Sequence, residues 1–223
     1  SQGISFRLGQ LFNTEREQYV KLHHICEIIY MTLAFAAMTT TYVVFPAFIR
    51  LYTKGVTDIN YYEKLYPLLF VLIPLFTIGR TAMNNVIYYA AHFKQTQMSA
   101  VLECVINITV SVIGVWEFGI YGVLIGSVVS VVYRTIYMIF YCYRHILFDS
   151  PWKTIRRWLV CLVIFALMIV FVPSANLPAA SYLQIILYGA AAGVISLIVY
   201  FTALCLTNRK ETQNIISIVR GIF

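Results

Sequence analysis

The sequence predicts an all-α, polytopic membrane protein with six transmembrane helices. Hydrophobic residues make up 61% of the 223 residues and charged residues only 11%, whereas a soluble domain is about half apolar and a quarter charged. The apolar residues come in long blocks of about 20, the length of helix that crosses the hydrocarbon core of a bilayer. Solid blocks exclude a transmembrane barrel, whose strands are short and alternate in hydropathy.

Short polar or glycine-containing segments separate the six apolar blocks. The predicted spans are 25–51, 65–91, 98–117, 120–143, 158–172 and 181–207. The organisation that follows is a cytoplasmic amphipathic segment at 1–24, a six-helix transmembrane bundle at 25–207 and a cytoplasmic amphipathic tail at 208–223. The opening segment is neither a signal peptide nor a span, so we expect the chain to be an excerpt of a longer protein.

Basic residues predict the orientation, since Lys and Arg concentrate in cytoplasmic loops. Three of them, Arg50, Lys54 and Lys64, fall on one side of the predicted bundle. Eleven fall on the other side, and both chain ends with them: Arg7, Arg16, Lys21, Lys94, Arg144, Lys153, Arg156, Arg157, Arg209, Lys210 and Arg220. Both termini are therefore predicted to be cytoplasmic. Because the net charge of +7 is spread over short loops in this way, no nucleic acid partner is expected.

Glycine spacing predicts where helices approach closely. The third and fourth spans are joined by a tight turn around Gly119 and Gly122, which predicts a helical hairpin. Gly122 and Gly126 stand four residues apart, as do Gly189 and Gly193. This GxxxG spacing lets neighbouring membrane helices come close together.

Neither the cysteines nor the histidines form a reactive or metal-binding motif. All five cysteines lie within or at the ends of apolar blocks without paired or CxxC spacing, so no disulfide framework or metal site is predicted. No histidine has a carboxylate or serine at a motif spacing. We therefore expect neither an enzyme nor an organic or metal cofactor.

Arg80 stands in the middle of the second predicted span. An arginine there costs about 2.5–3.5 kcal/mol on insertion scales, so it normally faces a partner or a water-filled cavity. Thr77 and Asn84 share its side of the helix at helical spacing. Pro74 and Gly79 lie just before it, and proline in a membrane helix permits a bend. This pattern predicts a kinked helix that forms the wall of a polar cavity.

The next two spans also present polar side chains. Glu103 and Asn107 share one face of the third span, and Arg134 and Tyr137 share one face of the fourth. Glu103 either pairs with an arginine as a structural ion pair or titrates and couples movement to a proton or Na⁺. Arg134 either lines the same cavity or extends to the cytoplasm, and Tyr137 is either a cavity residue or an interfacial anchor.

Two arginines in one cavity predict an anionic ligand, and phosphate suits guanidinium best through paired hydrogen bonds. The residues alone therefore predict a transporter of an anionic substrate, with phosphate as the favoured charged group. The candidates for substrate binding are Arg80, Arg134, Asn84, Thr77 and Tyr137. The candidates for binding a coupling ion are Glu103 and Asn107.

The order of these motifs resembles the C-terminal half of polysaccharide and O-antigen flippases in the MOP transporter superfamily. The matching features are Arg80, the pair Ala90 and Ala91, the basic loop from His92 to Thr96, Glu103 with Asn107, Gly119 with Gly122, Gly126, and the opening ISFRLGQLF. His92 stands where the family frequently has glycine. The resemblance covers about residues 3–147.

The resemblance implies a flippase that moves a polyprenyl-pyrophosphate-linked oligosaccharide from the cytoplasmic to the outer leaflet of a bacterial inner membrane. It further implies two lobes of helices around a central cavity, of which this chain supplies most of the second lobe without its first helix. The expected partners are then the lipid-linked oligosaccharide, membrane lipids and the N-terminal lobe. Alternating access would rock one lobe against the other.

Three other functions remain alternatives at this point. A multidrug or cation exporter of the same superfamily would prefer acidic residues in its cavity, against the two arginines and one glutamate here. An integral membrane enzyme of glycan assembly would need a reactive constellation, and the predicted outer loops are short. A purely structural membrane subunit is the third alternative.

Overall fold

The computed structural model describes residues 2–53, 65–171, 181–209 and 211–213, with side chains described from residue 8 onward. Its helices are α1 Gln2–Thr14, α2 Arg16–Tyr52, α3 Leu65–Gly79, α4 Thr81–Tyr89, α5 Phe93–Phe118, α6 Ile120–Cys142, α7 Trp152–Phe171 and α8 Tyr182–Thr207. A π-helical turn, Tyr143–Leu147, extends α6. In the described ranges, six helical segments are long and apolar enough to cross a membrane: α2, α3 with α4, α5, α6 with its extension, α7 and α8. This confirms the predicted all-α, polytopic fold class.

Several helices begin before the predicted spans. α2 begins at Arg16, α5 at Phe93 and α7 at Trp152, because hydropathy marks the apolar stretch and a helix continues into its polar flank. The earlier start of α7 corrects the placement of Arg157, which was predicted in a loop. Arg157 is a helical residue with no exposed surface.

The second predicted span is interrupted at Arg80, which joins α3 to α4 with φ −84° and ψ 3°. Gly79, the last residue of α3, lies against the ring of Trp158. A Cβ atom at Gly79 would come within 2.5 Å of Trp158 Cη2, so the close approach of this ring requires glycine. The helix is thus interrupted where the sequence predicted a kink, and Arg80 stands at the junction itself.

α2 is central to the bundle, packing against α8, α3 and α7. Gly193 of α8 faces Thr40 of α2, and a Cβ at Gly193 would stand 3.5 Å from Thr40 Oγ1. Nearby, Thr39 and Tyr200 share a buried hydrogen bond of 2.8 Å. α8 therefore packs on α2 along the face that carries Gly189 and Gly193, but a Cβ would fit at both positions at an ordinary van der Waals distance, so this contact does not require glycine.

α5 and α6 form the predicted hairpin, which joins the rest of the bundle mainly through α3. Gly119 turns the chain with a positive φ of 56°. A Cβ at Gly122 would come within 2.1 Å of the Gly114 carbonyl carbon, and one at Gly126 within 2.2 Å of Ser111 Oγ. The two backbones therefore touch, so these glycines are needed for the contact.

The described part of the amphipathic segment docks on the bundle. Leu8, Leu11 and Phe12 of α1 pack against the core, and the Phe12 ring meets Tyr19 edge-on with centroids 5.0 Å apart. Residues 16–24 continue directly into the first span as part of α2. The predicted amphipathic pattern at 214–223 lies outside the described residues, as do Lys54 and Lys64.

One end of the bundle carries most of the described basic side chains, and we call it the basic end. α2, α5 and α7 begin there, whereas α6 and α8 end there. It carries Lys21, Lys94, Arg144, Lys153 and Arg156. The clustering matches the predicted asymmetry between the two sides.

Candidate functional site

Arg80, Glu103 and Arg134 form one ion cluster across three neighbouring helical segments. Both terminal nitrogens of Arg80, at the α3–α4 junction, donate to Glu103 Oε1 of α5 at 3.1 Å. The other carboxylate oxygen, Oε2, lies 3.7 Å from Arg134 Nε of α6. The three charged residues predicted to face one space are therefore in contact.

Arg134 is also anchored to the beginning of α5. Its Nη1 donates to the Thr96 carbonyl oxygen at 3.0 Å and to the Ser99 hydroxyl. Thr96 and Ser99 are the buried residues of α5. Because α5 begins at the basic end, the Arg134 side chain extends toward that end, as one of the alternatives predicted, while its Nε stays beside Glu103.

The cluster is largely but not completely covered. The side chains of Arg80, Arg134 and Glu103 are 13%, 12% and 22% exposed. Two guanidinium groups and one carboxylate leave a net charge of +1 on this site. Among the described residues, Arg80 Nε has no hydrogen-bond partner. The arrangement can therefore offer one unneutralised positive charge and an unused N–H donor to an anion.

Asn107 connects the two helices of the hairpin. Its amide nitrogen donates to Ser127 Oγ and to Ser130 Oγ, both at 3.2 Å. Both amide hydrogens are thus used between α5 and α6. This contact explains Asn107 as a helix-joining residue, and its predicted role toward a coupling ion stays a prediction.

In the part of the chain that the structure describes, the other candidates make no hydrogen bond or ion pair with the ion cluster. Thr77 donates its hydroxyl to the Ile73 carbonyl oxygen within its own helix, and Asn84 is exposed on α4. Tyr137 stacks on Tyr141 with ring centroids 5.8 Å apart. It lines an open groove of about 560 Å³ along α6 and its extension, whose lining includes neither arginine of the cluster. The structure thus joins two of the five substrate candidates, Arg80 and Arg134, through Glu103.

A second buried charge pair was not predicted. Glu27 of α2 is 1% exposed and Arg157 of α7 has no exposed surface, and Arg157 Nη1 donates to Glu27 Oε2. Arg157 Nε also donates to Asn208 Oδ1 at 3.0 Å. The pair therefore links α2, α7 and the segment that follows α8 at the basic end.

The sequence did contain a signal for this pair. Glu27 lies inside the first predicted span, and an ionisable residue in a span normally has a partner. Arg157 immediately precedes the fifth predicted span, and both spans begin on the same side. The equal predicted depth of Glu27 and Arg157 in the membrane was thus the clue to their contact.

In the described ranges no three His, Cys, Asp or Glu side chains are placed to hold a metal ion.

Comparisons with protein-family models, with curated proteins and with solved structures gave no match. The functional inference for this chain therefore rests on its own residues, on their arrangement and on the resemblance of its motifs.

Proposed function

We propose that this chain is part of a transporter that moves a polyprenyl-pyrophosphate-linked oligosaccharide from the cytoplasmic to the outer leaflet of a bacterial inner membrane. The observation that carries the proposal is the ion cluster of Arg80, Glu103 and Arg134, which holds two guanidinium groups on one carboxylate inside a membrane bundle. The net charge of +1 favours an anionic cargo. It disfavours the cationic cargo of a multidrug exporter.

Pyrophosphate is the cargo group that fits this cluster best. Guanidinium binds phosphate oxygens through paired hydrogen bonds in the same geometry that it uses for carboxylates. In the structure a single Glu103 oxygen, Oε1, accepts both hydrogen bonds from Arg80. We propose that a phosphate displaces Glu103 from Arg80 when cargo binds. Glu103 then keeps Arg134 as its partner, and no charge is left alone in the membrane.

The break at Arg80 supports the same function. Interrupted membrane helices commonly form the cargo sites of transporters, because the positive end of a half-helix faces an anionic group. α4 begins directly after Arg80. The partial positive charge of the α4 N-terminus therefore lies close to the charge that the Arg80 side chain carries. Alternating access would then require the hairpin of α5 and α6 to move relative to α3 and α4.

A flipping assay tests this function. The product of the complete gene is reconstituted in liposomes, and the rate at which a fluorescent polyprenyl pyrophosphate sugar crosses leaflets is measured. Hydrogen bonds to charged groups contribute about 1.5–3 kcal/mol, so we expect Arg80→Ala to slow flipping at least about tenfold. Arg144→Ala is the matched control, because Arg144 is an exposed arginine outside the cluster. Its flipping rate is expected to equal that of the wild type.

A double substitution separates cargo binding from a structural role. If Arg80 serves only to neutralise Glu103, then Arg80→Ala combined with Glu103→Ala restores flipping. If Arg80 binds cargo, the double variant stays as slow as Arg80→Ala when the two are compared at matched folding, a condition that is needed because the double variant also removes the carboxylate partner of Arg134. Restored flipping, or equal flipping by wild type and Arg80→Ala at matched folding, contradicts the proposal.

A further inference from the structure

A row of aromatic rings follows one face of α6 and its extension. Tyr133, Tyr137, Tyr141 and His145 stand at successive turns, and the centroids of neighbouring rings are 6.4, 5.8 and 4.8 Å apart. The row lines the open groove of about 560 Å³, a volume in the range of small-ligand sites. Arg144 and His145 form its exposed outer end at the basic end. We call the part along the three tyrosines the tyrosine groove.

Depth in the membrane distinguishes these tyrosines from an interfacial belt. Tyr133 lies near the middle of the 28-residue segment Ile120–Leu147, which is long enough to cross a membrane. Tyr137 stands about one turn nearer the basic end and Tyr141 about two turns nearer, so the three cover about 12 Å of helix. Tyrosines that anchor a protein at the headgroups stand at the ends of a span. Interfacial anchoring therefore does not account for Tyr133 or Tyr137.

The hydroxyl groups of the row are only partly used. Tyr141 Oη lies 3.0 Å from His92 Nδ1, which ties the row to the turn before α5. In the ranges that the structure describes, the hydroxyls of Tyr133 and Tyr137 make no hydrogen bond, and both side chains are half-buried. A hydroxyl without a partner is costly against hydrocarbon, and polar groups within a span normally face a cavity. This face of α6 therefore suits a ligand with hydroxyl groups of its own.

The tyrosine groove begins beside the ion cluster. Arg134 directly follows Tyr133 and precedes Tyr137 by three residues, so the three side chains start within about one turn of α6. A ligand group attached directly to an anion at Arg134 would therefore lie against the tyrosines.

We propose that the tyrosine groove binds the sugar residues that adjoin the pyrophosphate of the cargo, an inference that rests on the proposed function. A sugar ring presents C–H groups on its faces and hydroxyls around its edge. Tyrosine matches both, because its ring is apolar and its hydroxyl donates and accepts hydrogen bonds. The pyrophosphate at Arg80 and Arg134 positions the first sugar, and the next sugar follows the row toward the basic end.

Binding of synthetic cargo headgroups tests this assignment without transport. The product of the complete gene is placed in lipid nanodiscs. Isothermal titration calorimetry measures the dissociation constants of farnesyl pyrophosphate and of its conjugates with glucose, galactose and N-acetylglucosamine. Empty nanodiscs correct for partition of the farnesyl chain into lipid. The sugar advantage is the dissociation constant of farnesyl pyrophosphate divided by that of a conjugate.

Two hydrogen bonds contribute at least about fivefold in affinity, so we expect the wild type to show a sugar advantage of that size or more for at least one conjugate. Tyr133→Phe combined with Tyr137→Phe removes two hydroxyls that are unpaired in the described ranges, so the fold should be retained. This double variant should lose about fivefold of the sugar advantage, with unchanged affinity for farnesyl pyrophosphate.

Two other variants complete the comparison. Tyr182→Phe is the matched control, because Tyr182 is an exposed tyrosine at the opposite end of the bundle, and it should keep the full sugar advantage. Arg80→Ala should weaken the binding of all four compounds, since each of them carries the pyrophosphate.

Two results overturn the groove assignment and leave the proposed function standing. One is equal binding of all four compounds by the wild type, which is the result expected if a helix of the N-terminal lobe fills the groove. The other is a sugar advantage that is unchanged in the double phenylalanine variant. If Arg80→Ala binds farnesyl pyrophosphate as tightly as the wild type, the proposed function fails, and the groove assignment fails with it.

Discussion

At the scale of single residues, the buried Glu27–Arg157 pair is the strongest electrostatic constraint at the basic end. Neither side chain has more than 1% of its surface exposed, so Glu27 depends on Arg157 for charge compensation, and Arg157 depends on Glu27 together with Glu211, which lies 3.4 Å from its Nη2. A charge left alone in such an environment is far more costly than an ion pair replaced as a whole. Removing one partner and removing both should therefore have different effects.

We expect Glu27→Ala to destabilise the bundle by about 1.5–3 kcal/mol, the usual contribution of a hydrogen bond to a charged group, because Glu211, 3.4 Å from Arg157 Nη2, still compensates part of the guanidinium charge. The double variant Glu27→Leu with Arg157→Met replaces both charges with apolar groups and should cost much less. Unfolding of each variant in mixed detergent, followed by far-ultraviolet circular dichroism, measures the difference. A double variant as unstable as the sum of its single substitutions would contradict this account of the pair.

The predictions for single residues were confirmed where the charged residue stands well inside an apolar block. Arg80, Glu103 and Arg134 all stand inside apolar blocks, so their need for partners was evident from the sequence, and the structure brings them together. Arg157 was misplaced because it stands at the border of a block, where hydropathy does not distinguish a loop residue from the first buried turn of a helix.

At the scale of elements, the α5–α6 hairpin depends on contact between two backbones. A Cβ at Gly122 would come within 2.1 Å of the Gly114 carbonyl carbon, and backbone atoms cannot move aside as a flexible side chain can. Arg134 and Glu103 face one another across this hairpin. Its spacing therefore also sets the geometry of the ion cluster.

We expect Gly122→Ala to destabilise the hairpin by about 1–3 kcal/mol, the usual cost of overpacking. Gly189→Ala is the matched control, since its Cβ would meet Val44 Cγ1 at 3.6 Å, an ordinary van der Waals distance. Alanine also favours helix over glycine, so the control should be neutral or slightly stabilising. Thermal unfolding in detergent compares them, and equal effects of the two substitutions would contradict the backbone contact.

At the scale of the whole molecule, the basic end gathers Lys21, Lys94, Arg144, Lys153 and Arg156. Basic residues concentrate on the cytoplasmic side of membrane proteins. With six spans, the start of α2 and the end of α8 lie at this same end. The expected topology therefore places the basic end in the cytoplasm.

Single-cysteine labelling checks that topology in a background whose five native cysteines are replaced. Glu117→Cys, at the opposite end, should react with a membrane-impermeant maleimide in intact cells. Arg209→Cys, after α8, should react only after the cells are permeabilised. Both positions are exposed, so each should react once the reagent reaches it. Labelling of Arg209→Cys in intact cells would show that the basic end faces outward and would contradict the predicted topology.

The sequence predicted the fold class, the six spans found in the described ranges, the hairpin and the three charged residues that stand within spans. These follow from hydropathy and helical spacing, which are local properties of the chain. The tertiary structure alone decided that Glu103 lies between both arginines, that α3 ends where Trp158 covers Gly79, and that Arg157 is buried between Glu27 and Glu211. Each of these depends on which helices become neighbours, and that is set by the packing of surfaces distant in sequence.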